Sequence, residues 1–353
     1  MRAFLAITSA ICVLVMAGML VGTPRPAAAC AGLIGSNGAV NLGRTTTLAG
    51  YHEGVEHYVT AFQFQGGGGE FGTLIPLPGV PSKVERGGDW TLQRLERETE
   101  PRRRALSDLD FAAVPASAEV LQQVRIDALD ITVLKGGGPD VATWATQHGF
   151  RLSPDAPEVL DFYAKRSPIF LAAVFDGEAA RARGQQIGDG TPVHITIPTP
   201  NPWVPLRILG LGKQPDDRVD ADVFLLTESK PALLPGPRVG LTLAHSEKAT
   251  DSLLADLRSD AGGEWVSQTS WLTKLEVNSS AADLKYDLAV DTTPQHSPSR
   301  VAAGLEPPNT SLLANDYSAP PFVWVPVVGV LALLIALFVS RLQANAGPRS
   351  PRL

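Results

Sequence analysis

The stretch FVWVPVVGVLALLIALFVS, Phe322 to Ser340, holds 19 residues without a single charge. At about 1.5 Å of rise per residue, a helix over it spans roughly 28 Å, close to the hydrocarbon thickness of a bilayer. A buried core helix of this length would show a polar face somewhere, and this run has none. Trp324 stands near its outer boundary. Arg341 follows its last residue, and the tail from Arg341 to Leu353 carries arginines but no acids, the mark of a cytoplasmic flank. A transmembrane helix is therefore expected over 321–340, with a basic cytoplasmic tail over 341–353.

The other end carries a second membrane signal. Arg2 precedes an uncharged apolar run from Ala3 to Val21, then Pro24 and the small-residue string Ala27-Ala28-Ala29. A basic start, an apolar centre and an A-x-A exit define a secretory signal peptide over 1–29. Cleavage after Ala29 would make Cys30 the first residue of the mature chain and a candidate for lipidation. The small-residue exit is separated from the apolar run by Pro24, Arg25 and Pro26, which favours ordinary cleavage over lipid attachment. Only two cysteines exist, and Cys12 lies in the segment to be removed, so no intramolecular disulfide is expected.

The formal charge of −6 conceals an asymmetry. The five arginines of the two ends leave 25 basic and 36 acidic side chains between them, a net of −11. So acidic a region repels a phosphate backbone, and nucleic acid is not an expected partner. Thr292 to Pro320 is rich in proline and serine with little periodicity, the composition of an extended tether. The folded domain is then expected over 30–291.

Within it, RTTTLAGY and VEHYVTAFQFQ alternate as two strands joined at Glu53-Gly54. EFGTLIPLP, VLQQVRI, ALDITVLK, PIFLAAVF and VHITI read as further strands, as do VPLRILGLG, DVFLLTE, RVGLTLA, WLTKLEVN and DLKYDLAVD. Short helices are expected in GDWTLQRLERETE, in the segment that places Val141, Trp144, Ala145 and His148 on one face, and in TDSLLADLR. Another should start at Asp155, with Glu158 at capping-box spacing and Val159, Leu160 and Tyr163 as its buried stripe. Segregated short helices among hairpin-linked strands predict an α+β fold: a mostly antiparallel β ectodomain plus one C-terminal transmembrane helix.

Candidate chemistry is sparse. Gly66 to Gly69 lack the Lys-Ser/Thr of a phosphate loop and the helix that should follow, so they read as a hairpin connection. His52 and His57 in HEGVEH are spaced i, i+5 rather than the i, i+4 of zinc proteases, and Gly54 lies between them. At the tip of a hairpin they are the only candidate metal ligands, a weak and exposed pair. His148 and His194 read as structural, the latter on the polar face of its strand. No catalytic constellation and no cofactor motif is present.

Three stretches, EHYVTAFQFQGGGGEFGTLIPLPGVPSKVE, VATWATQHGFRLSPDAPEVLDFYAKRSPIFLAAVF and PTPNPWVPLRILGLG, together resemble the bacterial family termed domain of unknown function 2330. The resemblance implies an exported, often membrane-attached bacterial protein, and no reaction. The expectation is a single-pass, membrane-anchored envelope protein that binds another envelope component without catalysis. The alternative is an envelope hydrolase acting on glycan or peptide.

Overall fold

A computed structural model of the chain describes residues 32–35, 45–63, 71–99, 119–185 and 190–308. The signal-peptide segment, Cys30, the four-glycine run and the apolar stretch Phe322 to Ser340 lie outside the described residues. Among those described, no helix is long and apolar enough to cross a membrane. The chain divides into two units, Met1–Pro307 and Pro308–Leu353, and the described residues fall in the first apart from Pro308.

The architecture is mixed α+β and dominated by antiparallel sheets. One sheet has seven strands in the order β13-β14-β11-β2-β3-β9-β5. These are β2 (Thr45–His52), β3 (Val55–Gln63), β5 (Lys83–Arg86), β9 (Gly190–Pro198), β11 (Arg218–Thr227), β13 (Leu241–Lys248) and β14 (Trp271–Ser280). A second sheet orders five strands as β1-β4-β8-β7-β6. They are β1 (Gly32–Gly35), β4 (Phe71–Pro76), β6 (Glu119–Ile126), β7 (Leu129–Lys135) and β8 (Ile169–Phe175). A small third sheet joins β10 (Trp203–Val204), β15 (Leu288–Asp291) and β12 (Ala232–Leu234) in that order. Among the described residues every strand pairing is antiparallel except that of β11 with β2.

Three apolar layers separate these sheets from each other and from the helices. The middle layer lies between the two large sheets. Ile131, Val133, Leu171 and Ala173 enter it from one side, and Val193, Ile195, Ala221, Val223 and Leu225 from the other. Helices α2 (Gly138–Gln147) and α3 (Ala156–Ala164) cover the outer face of the five-stranded sheet, where Val141, Trp144, Leu160 and Tyr163 meet Phe170, Ala172 and Val174. Helices α1 (Thr91–Thr99) and α5 (Asp251–Ser259) cover the outer face of the seven-stranded sheet, where Leu92, Leu95, Leu253 and Leu257 meet Leu48, Val59, Phe224 and Leu226. The short helix α4 (Gly177–Ala182) follows β8. The result is a four-layer stack, helices outside and two sheets within. It explains why β8 reads as an unbroken apolar run: all seven of its residues are buried, because both of its faces are covered.

Several expectations hold in detail. Glu53 (φ 49°) and Gly54 (φ 80°) form the left-handed two-residue turn that joins β2 to β3. Gly149 (φ 75°) ends the chain's turn out of α2.

Others are corrected. The glycine run is not a hairpin connection, because β3 and β4 on its two sides belong to different sheets. VPLRILGLG is not a strand beyond Val204: Arg207–Gly210 is a 3₁₀ turn. Asp155 makes no capping bond to α3, and its carboxylate instead accepts the N–H of Gly212 at 3.0 Å. The folded body also runs past Asp291. Ala302 and Ala303 are buried, and the carbonyl of Ala303 accepts the N–H of Asp287 at 3.0 Å. Thus the first part of the expected tether, up to Pro307, belongs to the body, and the residues beyond Pro308 lie outside the described residues.

Candidate functional site

Strand β3 carries two ionisable residues side by side, Glu56 and His57, and its pleat sends them to opposite faces. Glu56 shares the face of Tyr58 and Phe62, toward the middle layer, and is fully buried. One of its oxygens, Oε2, accepts the N–H of Trp203 at 3.3 Å, and Oε1 has no hydrogen-bond partner. Burial of a carboxyl with so few donors disfavours the charged form, pushing Glu56 up to about 8 against its ordinary 4.5.

His57 shares the opposite face with Val59 and Ala61. The sheet register pairs His57 with Thr196 and Val59 with His194, so the two histidines are diagonal neighbours on one surface. His57 Nδ1 and His194 Nε2 stand 2.9 Å apart. The ring centroids are 5.2 Å apart, the nitrogen separation plus the two ring radii, so the nitrogens face each other head-on. That is the geometry of one N–H donating to the other nitrogen. Among the described residues no group of three or more His, Cys, Asp or Glu could hold a metal ion.

Trp265 closes this pair from above, its ring stacked on His57 at 4.3 Å and 4°. The indole fits only because residue 50, opposite His57 on β2, is glycine: a Cβ there would lie 2.2 Å from the Trp265 ring. Gly50→Ala is therefore expected to cost about 1–3 kcal/mol by overpacking. Denaturant unfolding would read that loss, together with a red-shifted emission from a displaced Trp265. Burial holds both histidines neutral, His57 down at about 3 and His194 at about 4. Glu85, opposite His194 on β5, approaches its Nδ1 at 3.5 Å.

A second buried polar centre links the outer helices to the C-terminal part of the body. Asp287 is fully buried, and its Oδ1 accepts from the Tyr163 hydroxyl at 2.8 Å and from the N–H groups of Leu206 at 2.7 Å and Arg207 at 3.0 Å. Its Oδ2 pairs with Arg166, which also donates to the carbonyl of Ala302. The Arg166 guanidinium lies 4.2 Å from the Phe162 ring centroid and 4.8 Å from that of Trp203. Burial, and then the nearby Asp287 charge, keep the Tyr163 hydroxyl protonated well above its ordinary range. This centre joins α3, the 3₁₀ turn and the segment around Ala302, which makes it framework.

The candidate metal pair His52 and His57 lies diagonally on one face of the β2–β3 hairpin, near enough for His52 to oppose protonation of His57, but the two rings take different partners. His52 sits at the hairpin tip, where its Nδ1 meets Glu228 Oε1 at 2.6 Å, while His57 is enclosed against His194. His194, read as structural on the polar face of its strand, is only 4% exposed, because the loop from Asp260 to Val266 covers that face. Sequence reading missed Glu56, His194 and Trp265 as a set. The available signal was Gly50, a glycine inside an otherwise well-formed strand, which marks a close approach.

Comparison with known proteins places these features in context. A family profile described as an uncharacterized protein conserved in bacteria (DUF2330) matches residues 24–289. No curated protein matches the chain. Similar solved structures include baculovirus P35, at TM-score 0.38 and 10% identity over 70% of this chain and 96% of that one. A mutated baculovirus P35 after caspase cleavage gives 0.37 and 10% over 71% and 100%. The caspase-8/P35 complex gives 0.37 and 9% over 71% and 96%. At TM-scores below 0.5 these likenesses support no inference about this chain.

Proposed function

The chain belongs to the DUF2330 family of uncharacterized bacterial proteins, and from that premise we propose that it is an exported, single-pass envelope protein whose body binds another envelope component without catalysis. The observation that carries this reading is where the unusual ionisable groups sit. Glu56, His57, His194 and Asp287 are enclosed within packed layers, and three of the four are bonded to another side chain of the set or to Tyr163 and Arg166. Groups so placed organise a rigid scaffold, and a scaffold presenting loops and edges to solvent suits recognition. Export and anchoring are supported by the two uncharged apolar runs, Ala3 to Val21 and Phe322 to Ser340.

The test is crosslinking in intact membranes followed by purification through a tag on the C-terminal tail. One abundant envelope protein should co-purify and should be lost when residues 45–308 are deleted. A clean purification without any such protein would overturn the binding reading. Protease added outside spheroplasts should digest the body and spare the tag, and a protected body would overturn the assigned orientation.

A further inference from the structure

We propose that the His57–His194 pair and the Trp265 loop above it form an acid-released latch, closed at neutral pH by a single shared proton and opened when both imidazoles are protonated. The head-on contact at 2.9 Å has room for one proton between the facing nitrogens. A second proton would set two N–H donors against each other in a buried site, where charge repulsion is strong. The backbones of β3 and β9 are held in register on either side of both residues, so the rings can part only by turning out of the sheet. Trp265, stacked on His57, lies in that direction.

The loop that carries Trp265 is packed closely against its neighbours at its base. Gly262 is left-handed (φ 72°), and Gly263 lies so close to α5 that a Cβ would come within 2.0 Å of the Leu257 carbonyl. At the base of the loop, Asp260 accepts the N–H of Trp90 at 3.1 Å and the hydroxyl of Thr91 at 2.8 Å, and so caps α1 from outside the helix. Displacing Trp265 thus also loosens the start of α1. It opens to solvent the apolar groove between Leu48, Val59, Leu257 and Val266, with His194 at its floor.

The charges facing the pair act in both directions. Glu85 on β5 and Glu264 on the loop favour protonation of His194, while Lys83 on β5 opposes it. His52 on β2 and His194 itself oppose protonation of His57. Burial dominates for both rings and keeps the latch shut near pH 7. An open loop returns both imidazoles to water, where each takes up its proton readily, so falling pH selects the open state.

The test uses the full chain in detergent. Trp265 is isolated by subtracting the emission of Trp265→Phe from that of the wild type, and acrylamide quenching is followed from pH 7 down to pH 4 beside far-UV circular dichroism. The expected result is a several-fold rise in quenching of Trp265 before the dichroism changes. His194→Gln keeps a hydrogen-bonding partner for His57 but cannot take a proton, and it should abolish that early rise. His57→Gln serves the same purpose if the first variant fails to fold. Quenching that rises only together with loss of dichroism, or an unchanged early rise in the glutamine variants, would overturn the latch.

Discussion

Asp287→Ala is expected to destabilise the body by about 3–5 kcal/mol, the cost of stranding a buried guanidinium once its carboxylate is removed. Three further donors lose their acceptor at the same time: the Tyr163 hydroxyl and the N–H groups of Leu206 and Arg207. Urea unfolding of the full chain, followed by circular dichroism, measures the loss. Arg166→Met should also be strongly destabilising, because it leaves the Asp287 carboxylate buried without its cation. The double variant should then lose less than the sum of the two, since it leaves no unpaired charge. A loss below about 1 kcal/mol for Asp287→Ala would show that the centre is not the joint described above.

Glu56→Gln should change the pH dependence of stability rather than only its level. In the folded chain Glu56 titrates at about 8, and unfolded it returns to about 4.5. Between those values the unfolded state has released a proton that the folded state retains. Stability therefore falls as pH rises across that window, by about 1.4 kcal/mol per unit, and levels off above it. His57 and His194 act in the opposite sense. Their folded values of about 3 and about 4 lie below the ordinary 6.5, so the stability they contribute is complete above 6.5 and is lost as pH falls toward 4. Two histidines outweigh one carboxyl below pH 6.5, and the carboxyl acts alone above it. The stability maximum is expected near pH 6.5, with a fall on the order of 2 kcal/mol by pH 8. Glutamine at position 56 is nearly isosteric and never charged, so the alkaline fall should vanish in that variant. A wild-type curve that is level from pH 6.5 to 8 would show that Glu56 is not protonated in the folded body.

Strand identity was largely legible in the sequence because alternation with a period of two survives into burial. Leu284, Tyr286, Leu288 and Val290 were expected on one face, and all four are buried in the middle layer even though the strand proper begins only at Leu288. What alternation cannot convey is whether the opposite face is covered. His57 and His194 look like outward polar residues until α1, α5 and the loop from Asp260 to Val266 close over them. The 3₁₀ turn was illegible for a related reason. Its apolar residues suit a strand, and its first N–H groups are satisfied by Asp287, some eighty residues further along the chain. The latch failed to show because its parts come from β2, β3, β9 and a loop that are distant in sequence, and only Gly50 hinted at a close approach.

The one parallel pairing among the described residues, β2 against β11, bears on how the chain can be made. It sets Thr45 beside Ala221 and Tyr51 beside Thr227, so the centre of the larger sheet cannot close until the chain has been extended past β11. Contacts between segments so far apart form slowly, because the intervening loop must be brought together before any pairing compensates for it. A nascent chain of this topology stays open while most of its length is still being synthesised. An open chain of this kind is also what the export proposed above requires, since a translocation channel threads unfolded polypeptide.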